Sequence, residues 1–223
     1  MEPSKRYQQL IKALDLLRKH LLPEKLDSSK TYPEETYTQV KAYFVLAHAE
    51  IESFIEDRVK EVVSQANKIW KNDKKVSKAL LALMGFSGRE MEKPAPSLKP
   101  AKAAKQTEWD KKLSLTERIN IATQAFYGAL NNNHGIKEEN LLRLLLPIGV
   151  DVEDLDSFWL TNMNDFGTKR GEISHLSMYY GTQYQINPKP GYDNISLLLQ
   201  GLKALDKILE TFLENMADSN GFC

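Results

Sequence analysis

The sequence predicts an all-α protein, an up-and-down bundle of four or five main helices with short extra helices. Apolar residues recur at steps of three and four through most of its 223 residues, as they do on one face of an α-helix. No segment alternates apolar and polar residues in the way that a half-buried β-strand does. The composition, 42% hydrophobic and 27% charged, is typical of a globular protein that buries its core without disulfide support.

Three helices are predicted in the first part of the chain. The first covers residues 6–22. The second runs from 33 to 70, and it keeps the 3.6-residue period over a length that is typical of a bundle helix. The third covers 77–86 and ends at Gly85 or Gly88.

Four more helices are predicted in the second part of the chain. They cover 116–130, 138–146, a segment that begins near Asp151 or Asp154, and 193–216. Gly135 suits the left-handed position after the helix 116–130. The stretch 179–192 is predicted to be a loop because it contains two glycines and two prolines.

Residues 87–112 differ in composition from the rest of the chain, because lysine, alanine and proline dominate them. Such a segment is predicted to be a flexible insertion or loop. Neither side of it has an obviously complete core of its own. The chain 1–223 is therefore predicted to form a single domain with 87–112 as an insertion.

The composition also excludes several classes of function. Thirty basic residues balance thirty acidic ones, so attraction to nucleic acid would have to be local. The only cysteine is Cys223, which excludes a disulfide framework and a cysteine-based zinc site. No apolar run approaches the roughly 20 residues that span a bilayer, and the polar N-terminus lacks a signal peptide's apolar segment. We therefore expect a cytoplasmic protein without membrane contact, and no motif predicts a cofactor or a metal.

Four histidines are the candidates for moving a proton near neutral pH. His20 lies at a predicted helix end, and capping or turn chemistry accounts for His134 in an asparagine-rich turn. His48 precedes Glu52 by one helical turn. That spacing favours a buried histidine hydrogen-bonded to a carboxylate over a metal ligand, since one helix supplies only two ligands on one face.

His175 differs because Arg170 precedes it by five residues, about 140° around a helix axis. The two side chains would flank one groove, which suits a phosphodiester. A guanidinium stabilises charge on phosphate oxygens, and an imidazole moves a proton at neutral pH. The 2′-hydroxyl of RNA would then be the nucleophile. A surface arginine followed by a capping or core histidine is the structural alternative.

The run 170–175, Arg-x4-His late in a helical chain, resembles the motif of the HEPN superfamily. The runs 43–52 and 132–156 extend the resemblance, in particular to the RiboL-PSP-HEPN group, so that it covers about 40–175. It implies one HEPN-like domain over 1–223 that dimerises and joins two motif helices in a composite cleft.

The activity that the resemblance implies is that of a metal-independent endoribonuclease, which cleaves RNA through attack of the 2′-hydroxyl. Such proteins are often toxins or phage-defence effectors, so the implied partners are RNA, a second copy of the chain, and an antitoxin or a defence-system protein. Arg170 would bind the scissile phosphate and His175 would act as general acid or base. Lys169, Glu172 and Ser174 lie near enough to assist.

Two departures from the family pattern keep other functions open. Gly171 stands where many members carry a polar residue, which favours a non-catalytic module that binds a nucleotide, RNA or a partner. A third possibility is a purely structural bundle.

Ser177 stands where some toxins carry a tyrosine that the antitoxin modifies. Later tyrosines either stack on unpaired bases or anchor the loop to the bundle; they are Tyr179, Tyr180, Tyr184 and Tyr192.

Overall fold

A computed structural model describes residues 2–88, 114–175 and 185–217. These ranges contain seven α-helices and no β-strand, so the predicted all-α bundle is confirmed. The helices are α1 Lys5–Leu21, α2 Glu34–Asp73, α3 Lys78–Ser87, α4 Leu115–Asn131, α5 Glu138–Leu145, α6 Ser157–His175 and α7 Pro188–Ala217. Single 3₁₀ turns occur at Leu146–Ile148 and Val152–Asp154. Residues 89–112 of the predicted insertion lie outside the described residues, as do Tyr179, Tyr180 and Tyr184.

Serine residues are the N-caps of three helices. The side chains of Ser4, Ser77 and Ser114 accept hydrogen bonds from the backbone N–H three residues later, at 3.0, 3.2 and 3.3 Å. Each bond satisfies a donor that has no partner within the helix. These caps fix where α1, α3 and α4 begin.

Helix α6 begins at Ser157, later than the predicted start near Asp151 or Asp154. Asp156 is the residue that caps it, because its Oδ1 accepts a hydrogen bond from the Trp159 N–H at 2.6 Å. The residues Val152–Asp154 form the separate 3₁₀ turn instead. Several acidic residues in a row made the cap ambiguous in the sequence.

Helix α7 begins at Pro188, before the predicted start at 193, so the predicted loop 179–192 is shorter than expected. Asn187 Oδ1 accepts a hydrogen bond from the Lys189 N–H at 3.0 Å. Proline is tolerated in a first helical turn because the N–H that it lacks would have no acceptor there. Tyr192 therefore belongs to a helix, and its ring centroid lies 5.9 Å from the Arg18 guanidinium, which favours an anchoring role.

The end of α4 does not use Gly135 as predicted. Among the described glycines, the positive φ of 90° belongs to Gly149, which closes the 3₁₀ turn before it. At the end of α4, the backbone and side-chain amides of Asn132 both donate to the Gly128 carbonyl, at 3.2 and 2.8 Å. The helix end is thus satisfied without a left-handed residue.

The chain divides into two compact units. The first consists of Met1–Arg58, His134–Leu142 and Asp151–Thr211, and the second of Val59–Asn133, Arg143–Val150 and Phe212–Cys223. In the second unit, α3 packs against α4 and against the turn Leu146–Ile148. All predicted site residues belong to the first unit. None of the helices in the described ranges is long and apolar enough to cross a membrane.

Aromatic packing in the first unit sets the register between α2 and α6. The ring of Phe166 on α6 lies 5.3 Å from that of Phe44 and 6.0 Å from that of His48, centroid to centroid. Phe44 and His48 are one turn apart on α2 and share one face. Arg170, one turn beyond Phe166 on α6, interacts through its charge with His48 and Glu52 on α2.

Two further contacts hold α7 in the first unit. A Cβ built on Gly201 would lie only 2.1 Å from Cδ1 of Trp159 on α6, so only glycine permits this approach. Arg58 on α2 is buried and pairs with Asp206 and Glu210 on α7, at 3.1 and 2.6 Å. These contacts fix α6 and α2 relative to α7.

Candidate functional site

The predicted motif occupies the C-terminal end of α6. Arg170 is partly buried, whereas His175 is the last residue of the helix and is exposed. No hydrogen bond joins these two side chains in the described part of the chain. The structure thus places both on one helix, as predicted, but in different surroundings. Their roles in binding and proton transfer stay predictions.

Arg170 faces α2, where His48 and Glu52 are its charged or titratable neighbours. Its Nε atom is buried and has no hydrogen-bond partner among the described residues. Since Nε is buried while the residue as a whole is only partly so, the exposed surface of Arg170 belongs to its other atoms. Arg170 thus combines a buried Nε atom with a residue that keeps part of its surface exposed.

His48 is buried, with 1% of its surface exposed. Its Nδ1 lies 3.6 Å from Glu52 Oε2, which is longer than a hydrogen bond. The predicted burial beside a carboxylate is confirmed, and the predicted hydrogen bond is not formed. Burial, and secondly the positive charge of Arg170, lower the pKa of His48 to about 4. The imidazole is therefore neutral at physiological pH.

Glu52 lies one turn further along α2 and is partly buried. Burial and the neighbouring Glu56 carboxylate raise the pKa of Glu52, whereas the positive charges of Arg170 and His134 oppose that rise. Its Oε1 atom is buried and has no hydrogen-bond partner among the described residues. Glu52 is thus a carboxylate whose charge depends on nearby cations.

His134 reaches this cluster from the segment before α5, although it is itself exposed. That segment packs closely on α6, because a Cβ built on Gly167 would lie 2.9 Å from Cγ of Lys137. Asparagine-rich turn chemistry was the predicted role of His134. Its charge interaction with Glu52 was not predicted.

The three residues predicted to assist differ in their surroundings. The Nζ atom of Lys169 lies 5.3 Å from the centre of the Phe44 ring on α2, a cation–π contact. Ser174 is exposed, and its hydroxyl donates to the Arg170 carbonyl at 2.9 Å. Glu172 is exposed. Lys169 and Ser174 are therefore engaged within the first unit, and their assistance in catalysis stays a prediction.

Gly171 leaves an open surface beside Arg170. A Cβ built on it would meet no atom of the described residues within 4 Å, so packing in that part of the chain does not require glycine there. The same helix carries Gly167, where a Cβ would be crowded. Packing among the described residues therefore accounts for Gly167 and not for Gly171.

The arrangement can perform two chemical tasks. A partly buried guanidinium can bind phosphate oxygens and stabilise the charge that develops on them. An exposed imidazole on the same helix can accept or donate a proton. No three histidine, cysteine, aspartate or glutamate side chains in the described ranges lie together as a metal site requires.

Comparison with known proteins identifies a family for most of the chain. The model of the RiboL-PSP-HEPN family matches residues 8–215, which include nearly all of the described helices and the whole Arg-x4-His run. Neither the curated proteins nor the solved structures contain a significant match to the chain. Because the family model covers far more than half of the sequence, the chain belongs to the RiboL-PSP-HEPN family.

Proposed function

We propose that the protein is a metal-independent endoribonuclease in which Arg170 binds the scissile phosphate and His175 transfers a proton. One observation carries the proposal. The Arg-x4-His run lies at the C-terminal end of α6, where the Nε atom of Arg170 is buried and His175 is exposed. That combination provides a fixed charge for the phosphate and a proton carrier that a substrate can reach.

The proposed reaction is an internal transfer within RNA. The 2′-oxygen loses its proton to a base and attacks the adjacent phosphorus, which forms the P–O2′ bond. The P–O5′ bond breaks, and an acid donates a proton to the leaving 5′-oxygen. The products are a 2′,3′-cyclic phosphate and a 5′-hydroxyl, and no other reactant is consumed. Arg170 would stabilise the negative charge on the phosphate during the attack.

A homodimer would supply both proton carriers. A single His175 can act as the base or as the acid of one cleavage step. Two motif helices in one composite cleft would provide two imidazoles, one for each role. The open surface at Gly171, where a Cβ would meet no atom of the described residues within 4 Å, supports an approach by a second copy there.

Cleavage of end-labelled RNA in EDTA tests the proposal. Wild-type protein should cut and leave cyclic-phosphate ends, and His175→Ala should be about 10²- to 10⁴-fold slower. Arg170→Ala should also lose cleavage. His20→Ala and Arg143→Ala are the controls, because His20 is likewise exposed near a helix C-terminus and Arg143 is exposed on α5. Equal cutting by all five proteins would overturn the assignment.

A non-catalytic binding module is the second candidate, and Gly171 favours it because it replaces a polar residue of the family pattern. In that case RNA or a nucleotide would bind saturably, Arg170→Ala would abolish binding, and no buffer would yield turnover. A partner-binding bundle would instead leave RNA binding unchanged in both variants. Binding and cleavage measured on the same proteins separate the three functions.

The biological role we propose is that of a toxin or phage-defence effector, which rests on the family resemblance. RNA, a second copy and an antitoxin or defence-system protein are the proposed partners. Growth arrest on expression of the wild-type chain, relieved by His175→Ala, would support this role. Normal growth with active RNA cleavage would argue against it.

A further inference from the structure

A polar groove lies between α2 and α4 in the second unit. Its lining residues lie within 64–72 on α2 and 120–127 on α4, and its volume is about 450 Å³. That volume is within the range of about 300–1,000 Å³ that small-molecule sites have. The lining residues all belong to the second unit, whereas Arg170 and His175 belong to the first. We call this feature the α2–α4 groove.

Every side chain that lines the α2–α4 groove carries a polar group. Four carboxamides, three hydroxyl groups and two ammonium groups line it, and none of the described residues in the lining is acidic. Facing helices normally bury an apolar stripe, and ligand pockets are mostly apolar as well. The groove therefore suits a ligand that is polar along its length and carries negative charge.

Hydrogen bonds between the two helices fix the floor of the groove. The Thr123 hydroxyl on α4 donates to Asn67 Oδ1 on α2 at 3.1 Å, and Asn67 Nδ2 donates to the Val63 carbonyl at 2.9 Å. Thr123 is 7% exposed, so the first of these bonds is shielded from water. With both ends of the Asn67 amide held, the polar groups of the floor are oriented before a ligand arrives.

Two lysines supply the positive charge of the groove. Lys68 and Lys71 are exposed on α2, and residues three apart on a helix have Cβ atoms about 5–6 Å apart. An ammonium group binds phosphate oxygens as a compact point charge. In a chain whose charges balance overall, the groove thus provides the local attraction that nucleic acid requires.

The side chains from α4 suit a nucleobase. Asn120 and Gln124 are exposed and one turn apart, and a carboxamide offers both a donor and an acceptor to the edge of a base. Tyr127, partly buried one turn further, adds a ring on which an unpaired base can stack. An acidic peptide would use the lysines alone, so the combination favours RNA.

We propose that the α2–α4 groove is a second RNA-binding site, which holds one nucleotide unit of a single strand. Lys68 and Lys71 bind the phosphate, the α4 carboxamides contact the base edge, and Tyr127 stacks on the base. The proposal rests on the proposed function, since RNA is the substrate there. It gives the second unit a task that the Arg-x4-His motif does not contain, and the groove takes no part in the chemical step.

Fluorescence anisotropy of a labelled single-stranded RNA measures this site without cleavage, in the His175→Ala protein and in EDTA. Lys68→Gln and Lys71→Gln should each weaken binding by about 3- to 10-fold and reduce the slope of log K against log salt by about 0.7, because each removes one phosphate contact. Lys60→Gln is the matched control and should change neither quantity. Lys60 is likewise exposed on α2, two turns before Lys68, and does not line the groove.

The base contacts are tested separately. Tyr127→Leu should weaken binding by about 5- to 100-fold, as loss of one stacked base does, with the salt slope unchanged. Tyr127→Phe keeps the ring and should bind like the unsubstituted protein. Gln124 is exposed, so Gln124→Ala keeps the test decisive if Tyr127→Leu does not fold, and it too should weaken binding at constant slope.

Two competitors identify the class of ligand. Free AMP carries the chemistry of one unit, so it should compete weakly and lose that competition in Lys68→Gln. AMP that binds as tightly as the RNA would overturn the assignment to a strand. A polyglutamate peptide that binds more tightly than RNA of equal length would assign the groove to an acidic partner and overturn the proposal.

Crosslinking locates the site directly. RNA that carries thiouridine, irradiated with the His175→Ala protein, should attach to peptides from 64–72 or 120–127. Equal binding by all groove variants, with crosslinks only to other segments, would overturn the proposal, and the proposed function would stand if cleavage still required Arg170. If the wild type cleaves no RNA, the proposed function fails, and binding and crosslinks decide the role of the groove alone.

Discussion

The guanidinium of Arg170 on α6 acts electrostatically on the buried imidazole of His48 on α2. Burial is the main reason that the pKa of His48 falls to about 4, and the charge of Arg170 adds to it. Because the imidazole is neutral at physiological pH, it does not repel the guanidinium. The same relationship has a measurable consequence for stability.

Stability should fall with acidification because of His48. An unfolded chain takes up a proton on this residue at its ordinary pKa of about 6.5, whereas the folded chain does so only near pH 4. Between these values the unfolded state binds more protons, so the contribution of His48 is complete above pH 6.5 and is lost as the pH falls toward 4. From pH 6.5 to 4.5 the wild type should lose about 2 kcal/mol more than His48→Gln.

Urea unfolding of both proteins across this window checks the expectation. Glu52 acts in the opposite direction, because its raised pKa lets the folded state hold a proton more readily than the unfolded state. That contribution is present in wild type and His48→Gln alike, so the difference between them isolates His48. Parallel curves of free energy against pH would contradict the lowered pKa.

Breaking the buried ion network should be costly. Arg58 and Asp206 are each 2% exposed, and Asp206 also accepts hydrogen bonds from the backbone and hydroxyl of Ser4 at 2.8 and 2.6 Å. Asp206→Asn leaves Glu210 as an anionic partner of Arg58, and we expect a loss of about 3 kcal/mol in the free energy of unfolding.

The matched control is Asp57→Asn, which removes an ion pair with Arg6. The side chain of Asp57 is 54% exposed, so this pair should contribute about 0–1 kcal/mol. Thermal and urea unfolding of the two variants measure the contrast. Similar losses in both would show that burial does not set the strength of the Arg58 network.

Gly201 should not tolerate a side chain. A Cβ there would overlap the Trp159 ring, so Gly201→Ala should destabilise the fold by about 1–3 kcal/mol through overpacking. Gly128→Ala on α4 is the control, because its Cβ would meet no atom of the described residues within 4 Å. This variant should gain up to about 1 kcal/mol of helix propensity. Stabilisation in both variants would contradict the close approach of α6 and α7.

Gly171→Ala separates folding from association. A Cβ at Gly171 would meet no atom of the described residues within 4 Å, so alanine should stabilise the monomer by up to about 1 kcal/mol, as at Gly128. If a second copy approaches α6 there, the variant should dimerise more weakly, whereas Gly128→Ala should not. Sedimentation equilibrium of the two variants measures this. Identical dimer constants would place the interface elsewhere.

The helices were predictable because their signals are local. Periodicity and a capping serine fix α1, α3 and α4, so their predicted bounds agree with the structure to within about one residue. The starts of α6 and α7 were not predictable in this way. Asp156 and Asn187 cap these helices, but neighbouring residues are of types that cap helices equally well. Which of them caps depends on packing that the local sequence does not contain.

The part of the site that lies within one helix was predictable, and the part that depends on packing between helices was not. Arg170 and His175 share a helix, and their spacing is visible in the sequence. Glu52 and His48 are far from them along the chain, and only the register of α2 on α6 brings them to Arg170. The one signal in the sequence was the single-turn spacing of Phe44, His48 and Glu52, which does not say what faces it.

A single 2′-deoxy substitution tests the proposed chemistry most directly. A cleavage position is first mapped on an all-ribose RNA with wild-type protein in EDTA, and the RNA is then remade with one 2′-deoxynucleotide on the 5′ side of that bond. Attack by the 2′-hydroxyl predicts that this bond alone resists cleavage while neighbouring bonds are cut as before. Cleavage at the deoxy position at the original rate would contradict the mechanism and, with it, the roles of Arg170 and His175.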